Sequence, residues 1–282
     1  MKTSPIGLIA KFAELRRKEG IRVASLKVLG YVKARMGLID PILKRRMEIS
    51  DRVNAILNAT VAYGPFKGLK LPGQMWWGTA DRAGMLFGLY EQDIQNSLGT
   101  IPGTHKTFVN LGAADGYYGV GVLINGLFEE SHCFEMSEAG RNVIRRVAEQ
   151  NGMSDRVSIH GIAERDFAKY LPADRLSTSV LLVDIEGGEF DLFDRRMLEV
   201  FKGSILILEL HEHFFDDGHQ KLRRLEQDAT EFFAITELTT TSRDLSQFPE
   251  LKQFSDSDRW LICSEGRRRL PHWYRLDPIQ GR

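Results

Sequence analysis

The amino-acid sequence predicts an α/β fold with a doubly wound, mainly parallel sheet. After residue 104, short apolar runs alternate with segments of helical periodicity. Two runs, Val180-Leu-Leu-Val183 and Ile205-Leu-Ile-Leu208, are apolar at every position, as expected of central strands covered by helices on both faces. A glycine turn at residues 112–116 follows the first run. Together these observations predict a Rossmann-like sheet with a ligand crevice at the carboxyl ends of its strands.

The order of elements follows from the same periodicity. The predicted strands lie at residues 106–111, 131–135, 156–160, 178–184, 204–210, 232–238 and 258–263. The predicted helices lie at residues 81–98, 117–127, 138–151, 165–170, 189–199 and 219–231. The stretch from Val61 to Trp77 is rich in Gly and Pro, which predicts a small hairpin or an irregular cover.

The first 50 residues form a basic arm. They hold 12 Lys or Arg against 4 Asp or Glu, a balance of +8, and the remaining 232 residues carry −8 because the totals are 38 and 38. Apolar residues in the arm recur at helical spacing, and Asp40-Pro41 is a typical helix start. They are Ile6, Ile9, Phe12, Leu15, Leu26, Leu29, Val32, Met36, Ile42, Leu43, Met47 and Val53. We therefore expect a helical extension over residues 1–59 and one large domain over 60–282.

Two interpretations of the arm remain open. Its basic helices could meet an anionic membrane surface, an acidic glycan carrier or a partner subunit, and the amphipathic pattern makes a homo-oligomer plausible. Equally, the helices could pack on the main domain with solvated basic faces. No RNA- or DNA-binding motif is present, so no nucleic-acid partner is expected.

Composition limits the class of protein. A chain of 282 residues with 43% hydrophobic content can bury a full core. Cys133 and Cys263 lie in apolar, strand-like runs without metal-ligand spacing, which favours buried thiols in a reducing compartment. No run of 18 apolar residues and no signal-peptide pattern is present, so a cytoplasmic protein without a transmembrane segment is expected.

The glycine turn carries the first functional signal. Gly112 and Gly116 allow the backbone to approach a ligand closely, and a helix follows with unpaired N–H groups. The spacing is G-x-x-x-G rather than the G-x-G-x-x-G of dinucleotide sites, and Asp115 lies inside the turn. An acid there would repel a diphosphate and suit a cationic ligand.

Glu135 is the second signal. It ends a predicted strand about 20 residues after the turn, where doubly wound folds place a carboxylate that binds ribose hydroxyls. The plainer alternative is that Glu135 caps the helix starting near Ser137. The neighbouring glycine turn favours the ribose interpretation.

Four motifs resemble one family. They are Val-Asn-Leu-Gly-Ala-Ala-Asp-Gly-Tyr-Tyr at 109–118, Phe-Glu-Met at 134–136, Val-Asp-Ile-Glu-Gly-Gly-Glu at 183–189 and Leu-Glu-Leu-His at 208–211. They resemble class I S-adenosylmethionine-dependent methyltransferases, with the FkbM-type family as the nearest match, over roughly residues 80–263. The resemblance implies a seven-stranded sheet with an antiparallel last strand. It also implies O-methylation of a hydroxyl on a sugar, glycolipid or natural product.

The same resemblance implies a cofactor site for S-adenosylmethionine. Gly112, Ala113 and Gly116 would contact the methionine portion, Asp115 its ammonium or sulfonium side, and Glu135 the ribose. The matched motifs add Asn110, Tyr117, Met136 and Asp184 as further candidates. Ala163 and Glu164, just after the third predicted strand, fall where such folds contact the adenine, although Glu164 could simply be an acid at a helix start. A sulfonium cation without phosphate makes acids in this turn favourable.

Methyl transfer to an alcohol needs a group that accepts the hydroxyl proton. Asp184 and Glu186 end the fourth strand and His211 ends the fifth, so we expect all three in one crevice, with His211 as the leading base. The plainer alternative for His211 is a structural hydrogen bond. A divalent metal held by His211, His213, Asp184, Glu186, Asp216 or Asp217 is possible but not favoured, because no recognised ligand spacing is present.

Two other classes of protein remain open. A non-catalytic protein could bind a cofactor or partner through the same fold. A nicotinamide-dependent oxidoreductase is a distant alternative, because the turn lacks its glycine spacing. The acceptor cannot be read from the sequence, which also assigns no role to Trp76 and Trp77. Arg267, Arg268 and Arg269 are interpreted as a solvated turn rather than a clamp for the acceptor, although a phosphate-bearing lipid carrier could bind them.

Overall fold

A computed structural model describes residues 40–279 and shows a central seven-stranded sheet. The strands are β1 Thr107–Leu111, β2 Glu130–Phe134, β3 Val157–His160, β4 Ser179–Val183, β5 Ile205–Glu209, β6 Phe233–Leu238 and β7 Trp273–Pro278. Their order is β3-β2-β1-β4-β5-β7-β6. The first five strands pair in parallel, and β7 is antiparallel to both β5 and β6. The prediction of a seven-stranded sheet with an antiparallel last strand is confirmed.

Helices surround this sheet. They are α1 Pro41–Ile56, α2 Arg82–Leu86, α3 Gln92–Gly99, α4 Tyr117–Ile124, α5 Glu138–Gln150, α6 Glu189–Leu192, α7 Arg195–Val200, α8 Gly218–Ala229 and α9 Asp256–Cys263. Short 3-10 turns lie at Ser154–Arg156, Phe167–Tyr170, Ala173–Arg175, Glu212–Phe214 and Pro249–Gln253.

Strand β4 shows why the central strands are apolar throughout. Val180 and Leu182 belong to one buried hydrophobic cluster, and Leu181 and Val183 belong to another. Successive side chains of a strand point to opposite faces, so each face of β4 packs against its own core. A polar residue in either set would lose its water without gaining a partner.

The turn after β1 touches the end of β4. Gly112 has φ of 85°, and a Cβ there would lie 1.8 Å from the carbonyl oxygen of Asp184. Only glycine allows both the left-handed backbone and this approach. The predicted glycine turn is therefore also the point where two adjacent strand ends meet.

The predictions for the first six strands are confirmed, each to within one residue at either end. The prediction of a strand at 258–263 is wrong, because these residues form helix α9 and Cys263 is helical. Ser255 caps that helix by accepting the Asp258 N–H, and Asp256 adds an acid to its first turn. The last strand is β7 instead.

Three predicted helices are also corrected. The helix predicted at 81–98 is two helices, α2 and α3, because Gly88 and Glu91 between them have positive φ. The helix predicted at 189–199 divides into α6 and α7, and Asp194 caps the second by accepting the Met197 N–H. The helix predicted at 165–170 is only a 3-10 turn.

The segment from Val61 to Trp77 is an irregular cover. An isolated antiparallel bridge joins Thr60 to Lys70 at its start. Phe66 is fully buried and packs edge-on against Tyr117 and Tyr118 of α4. The cover is therefore anchored to the helix that follows the glycine turn.

The chain divides into a unit of Met1–Arg45 and a compact unit of Arg46–Arg282. The Asp40 carboxylate accepts the Ile42 N–H at 2.7 Å, which confirms the predicted helix start. Farther along α1, Val53 is buried as expected, but Met47 is exposed. The domain boundary after residue 59 stays a prediction, and the helices predicted before residue 40 lie outside the described residues. Among residues 40–279, no helix combines the length and apolar character needed to cross a membrane.

We predict that Gly112→Ala destabilises the fold far more than Gly126→Ala. Both glycines have positive φ, so each alanine costs about 1 kcal/mol of backbone strain. A Cβ at residue 126 meets nothing within 4 Å, whereas at residue 112 it collides with the Asp184 carbonyl. We expect a total loss of about 2–5 kcal/mol for Gly112→Ala, measured by urea denaturation. Equal losses for both variants would contradict the close approach.

Candidate functional site

The glycine turn is held against the end of β2. The N–H groups of Gly112 and Ala113 both donate to the Phe134 carbonyl at 2.9 Å. Gly116 has φ of 80° and starts α4. The turn therefore lies between β2 and β4, at the carboxyl ends where an open α/β sheet binds its ligands.

Asp115 is buried in this turn and holds the cover segment. Its carboxylate accepts the backbone N–H groups of Trp76 and Trp77, the second at 3.0 Å. Burial raises the pKa of Asp115, and the two N–H bonds and the charge of Arg82 oppose the rise. In this structure the Asp115 carboxylate binds the backbone of Trp76 and Trp77. Its contact with a cofactor cation stays a prediction.

Glu135 is buried beside the same turn. One carboxylate oxygen accepts the Ala114 N–H at 2.9 Å and the other accepts the Ser137 N–H at 2.7 Å. Burial raises the pKa of Glu135, and these two bonds oppose the rise. The helix cap itself is Ser137, whose hydroxyl accepts the Gly140 N–H. Glu135 thus joins the glycine turn to the start of α5, and ribose binding stays a prediction.

The remaining cofactor candidates lie in different surroundings. Asn110 is buried within β1, and Ala163 packs at the edge of a hydrophobic cluster after β3. Met136 is 68% exposed, directly after Glu135. The hydroxyl of Tyr117 donates to the Met85 carbonyl, so its polar end points to α2 and away from the turn.

The three predicted catalytic residues are brought together. Asp184 and Glu186 follow β4, and His211 follows β5, with one potential ligand atom from each lying within 4.8 Å of the others. His211 Nε2 lies 3.7 Å from Asp184 Oδ1. That oxygen is buried without a hydrogen-bond partner.

Glu189, whose role was not predicted, holds this cluster in place. It is fully buried, and its carboxylate accepts the N–H of Gly187 at 2.9 Å and the N–H of His211 at 2.7 Å. The same oxygen lies 3.3 Å from His211 Nδ1. Because Glu189 fixes Nδ1, the other ring nitrogen faces Asp184.

The turn between Asp184 and Glu189 has an unusual backbone. Glu186 has φ of 55° and Gly187 has φ of 100°. A Cβ on Gly187 would lie 2.9 Å from the ring of Phe215. The Glu189 carboxylate stabilises this strained turn, which keeps Glu186 beside the crevice.

Charges in the cluster change its protonation. Burial alone would lower the pKa of His211, but the hydrogen bond and charge of Glu189, together with the charge of Asp184, raise it to about 9. Burial raises the pKa of Asp184 to about 6, which the charge of His211 opposes. At neutral pH the cluster therefore holds an imidazolium between carboxylates.

The same three side chains could hold a divalent cation. Carboxylate oxygens and an imidazole nitrogen are suitable ligands, and the unpartnered Asp184 Oδ1 is available. His213, Asp216 and Asp217, the other candidates, are not part of this group among the described residues. Bound metal would have to displace the proton of His211.

A second charged network lies beside the cluster. Arg267 donates to Glu209 at 2.6 Å and to Glu265 at 2.9 Å, and it also binds Glu91. The Tyr118 hydroxyl donates to Glu91 at 2.9 Å. Burial raises the pKa of both Glu91 and Glu209, and the charge of Arg267 opposes the rise. This network connects β5, α4 and the start of α3.

The interpretation of residues 267–269 as a solvated turn is correct in part, because all three arginines are exposed, but the Arg267 guanidinium also binds three carboxylates. Glu91 and Arg267 are 176 residues apart, so no local pattern could have paired them. Glu189 carried a signal, since it lies in the Asp-Ile-Glu-Gly-Gly-Glu motif directly after β4.

The strand order and the antiparallel β7 define a Rossmann-like α/β fold with a crevice after β1, β2 and β4. No known family model matches the sequence, and no curated protein matches it. The fold is similar to that of a proposed O-methyltransferase from Klebsiella pneumoniae, with 13% identity, 88% of this chain and 94% of that chain covered, and a TM-score of 0.44.

Two further structures have a similar fold. A tRNA (m1A58) methyltransferase from Aquifex aeolicus is 12% identical, with 69% of this chain and 70% of that chain covered and a TM-score of 0.43. The M. capricolum protein TrmK in complex with S-adenosyl-homocysteine is 11% identical, with 68% and 67% covered and a TM-score of 0.39. Likeness at this level assigns neither a cofactor nor an acceptor to this chain.

We predict that His211 titrates near pH 9 and that Glu189→Gln lowers its pKa toward the ordinary value of 6.5. Glutamine removes the charge and keeps only one of the two side-chain oxygens, which accept the N–H groups of Gly187 and His211 separately. NMR titration of the imidazole, assigned with His211→Gln, measures both values. Glu231→Gln, which changes an exposed carboxylate bound to Arg195, is the control and should leave the His211 pKa unchanged. An unchanged pKa in Glu189→Gln would contradict the role of Glu189.

Proposed function

We propose that this protein is an S-adenosylmethionine-dependent methyltransferase that methylates a hydroxyl group. The observation that carries the proposal is the glycine turn with a buried Asp115, placed next to the cluster of Asp184, Glu186 and His211. The turn would bind the cofactor, and the cluster would receive the acceptor. The two meet where Gly112 contacts Asp184.

The charge of the crevice supports this cofactor. Asp115, Glu135 and Asp184 lie around the turn, and the sulfonium and ammonium groups of S-adenosylmethionine are cations. A pyrophosphate on the turn would be repelled by the charge of Asp115, because like charges repel strongly away from water, whereas Glu135 lies where doubly wound folds bind a ribose and suits either cofactor. The crevice therefore favours S-adenosylmethionine over a nicotinamide dinucleotide.

The proposed chemistry is a direct displacement. The acceptor oxygen forms a bond to the methyl carbon as the carbon–sulfur bond breaks, which leaves S-adenosylhomocysteine and the methyl ether. The hydroxyl proton moves to His211 Nε2, which Glu189 orients toward Asp184. Because the pKa of His211 is about 9, only its neutral fraction can act as the base at lower pH.

The acceptor class rests on the resemblance to the FkbM-type family. We propose a sugar, a glycolipid or a natural product as the acceptor. Membrane contact through the basic arm and self-association stay predictions, because most of the arm lies outside the described residues.

The test is incubation of the protein with methyl-labelled S-adenosylmethionine and fractionated cell extract, followed by identification of the labelled product. Label in a glycan, lipid or small molecule with a base-stable methyl ether is expected. Label in protein or RNA would contradict the acceptor class. Binding of S-adenosylhomocysteine without any transfer of label would indicate a non-catalytic protein.

We predict that His211→Gln lowers kcat by about 10²- to 10⁴-fold, the usual contribution of a general base. Cofactor affinity should change by less than about twofold, because His211 belongs to the proposed acceptor side. His219→Gln, an exposed histidine of α8, is the control and should retain full activity. Equal loss of cofactor binding and methyl transfer in His211→Gln would refute the assignment.

The pH profile gives a separate prediction. A base with a pKa of about 9 is mostly protonated at neutral pH, so kcat/KM should rise about tenfold per pH unit and level off near pH 9. Methyl transfer measured with the identified acceptor from pH 6 to 10 checks this. A profile that is flat from pH 6 to 9 would exclude His211 as the base.

We predict that chelation leaves methyl transfer unchanged. Because the pKa of His211 is about 9, its imidazole is protonated at neutral pH and already places a cation between Asp184 and Glu189. Activity assays with and without EDTA, followed by addition of Mg²⁺ or Mn²⁺, measure metal dependence. Loss of activity that either metal restores would make Asp184, Glu186 and His211 metal ligands instead.

A further inference from the structure

Trp76 lies beside the carboxylate proposed to hold the ribose. A Cβ built on Gly140 would meet Trp76 Cδ1 at 3.1 Å and Glu135 Cγ at 2.8 Å, so the indole and the Glu135 side chain flank the same point at the start of α5. The Trp76 side chain is nevertheless 46% exposed. Part of the indole is therefore packed at the edge of the crevice and part is open.

The segment that carries Trp76 is fixed in place. The buried Asp115 carboxylate accepts the N–H groups of Trp76 and Trp77. At the start of the segment, the buried Arg82 guanidinium donates to the carbonyls of Pro72 and Gly73. Exposed tryptophan side chains are normally mobile, but here the backbone beneath them binds to two buried charged groups.

The position of Trp76 relative to the strands indicates which part of the cofactor it could contact. Glu135 and Gly140 follow β2, whereas Asp184 and His211 follow β4 and β5. Because β1 lies between β2 and β4, the ends of β2 and β4 are about 10 Å apart, two strand spacings. Trp76 is therefore on the side of Glu135 and away from the methyl-transfer cluster.

We propose that Trp76 is a cofactor-binding residue whose open indole face covers the adenosine part of S-adenosylmethionine. This inference rests on the proposed function and adds a contact from outside the glycine turn. An adenine base offers a flat aromatic face for an indole, and stacking tolerates the exposed position of the side chain. Asp115 then acts as the anchor of the segment that covers the cofactor.

The test uses S-adenosylhomocysteine as the probe, because it binds without turnover. Its dissociation constant is measured by calorimetry, and tryptophan fluorescence is followed in the same titrations. Trp76→Ala should weaken binding about tenfold, as expected for loss of one aromatic stacking partner. Trp76→Phe keeps an aromatic face and should bind within about threefold of wild type.

Tryptophan fluorescence distinguishes direct contact between Trp76 and the ligand from an indirect effect of the substitution on binding. The chain has four tryptophans, so the wild-type emission change on binding should largely disappear in Trp76→Phe. Trp260→Ala, an exposed residue of α9, is the matched control and should preserve both affinity and the emission change. Circular dichroism verifies that each variant is folded.

The two proposals fail in different ways. Wild-type protein that does not bind S-adenosylhomocysteine would overturn both of them. Binding by wild type with unchanged affinity in Trp76→Ala would overturn only the role of Trp76. An affinity that falls equally in Trp76→Ala and Trp76→Phe, with the emission change retained, would also exclude stacking.

Discussion

The buried carboxylate of Glu189 is the interaction on which the candidate site depends. A buried carboxylate loses its hydrogen bonds to water and needs protein partners in their place. Glu189 obtains them from the N–H of Gly187 and from the N–H and the ring of His211. One side chain thereby fixes the strained turn after β4 and the end of β5. Asp184 and Glu186 on the first segment and His211 on the second are held in a common geometry because both segments bind the same group. The glycine turn joins this arrangement through the contact between Gly112 and Asp184.

Local sequence patterns predicted the parallel part of the sheet well. The run at residues 180–183 is apolar at every position and buried on both faces, and its place in a regular alternation of strands and helices favoured a strand. The run at 258–263 was ambiguous, because a short apolar stretch suits a strand or a buried helix equally. The cap at Ser255 favours the helix. In the last strand, β7, the buried residues Trp273 and Leu276 are three positions apart, so the two-residue alternation typical of a strand is missing.

For the candidate site, too, the sequence predicted some features and not others. The sequence placed Asp184, Glu186 and His211 at neighbouring strand ends, because carboxyl ends of parallel strands share one edge of a sheet. It could not show what each polar group binds. Asp115 binds the backbone of Trp76 and Trp77, and Arg267 connects Glu91 with Glu209. These partners are far apart in the sequence, so local sequence patterns could not predict the contacts. Whether a charged residue is solvated or enclosed depends on packing between distant segments.

The proton of His211 has a consequence for the whole fold. The pKa of this histidine is about 9 in the folded protein and 6.5 in its ordinary state, so the folded chain binds the proton more tightly than the unfolded chain. By thermodynamic linkage the bound proton stabilises the fold by up to about 3 kcal/mol, a contribution fully present below pH 6.5 and lost as the pH rises through about 9. The proton that must leave to create a base is the same proton that helps to hold the two strand ends together. Loss of this proton therefore makes His211 available as a base and at the same time lowers the stability of the fold.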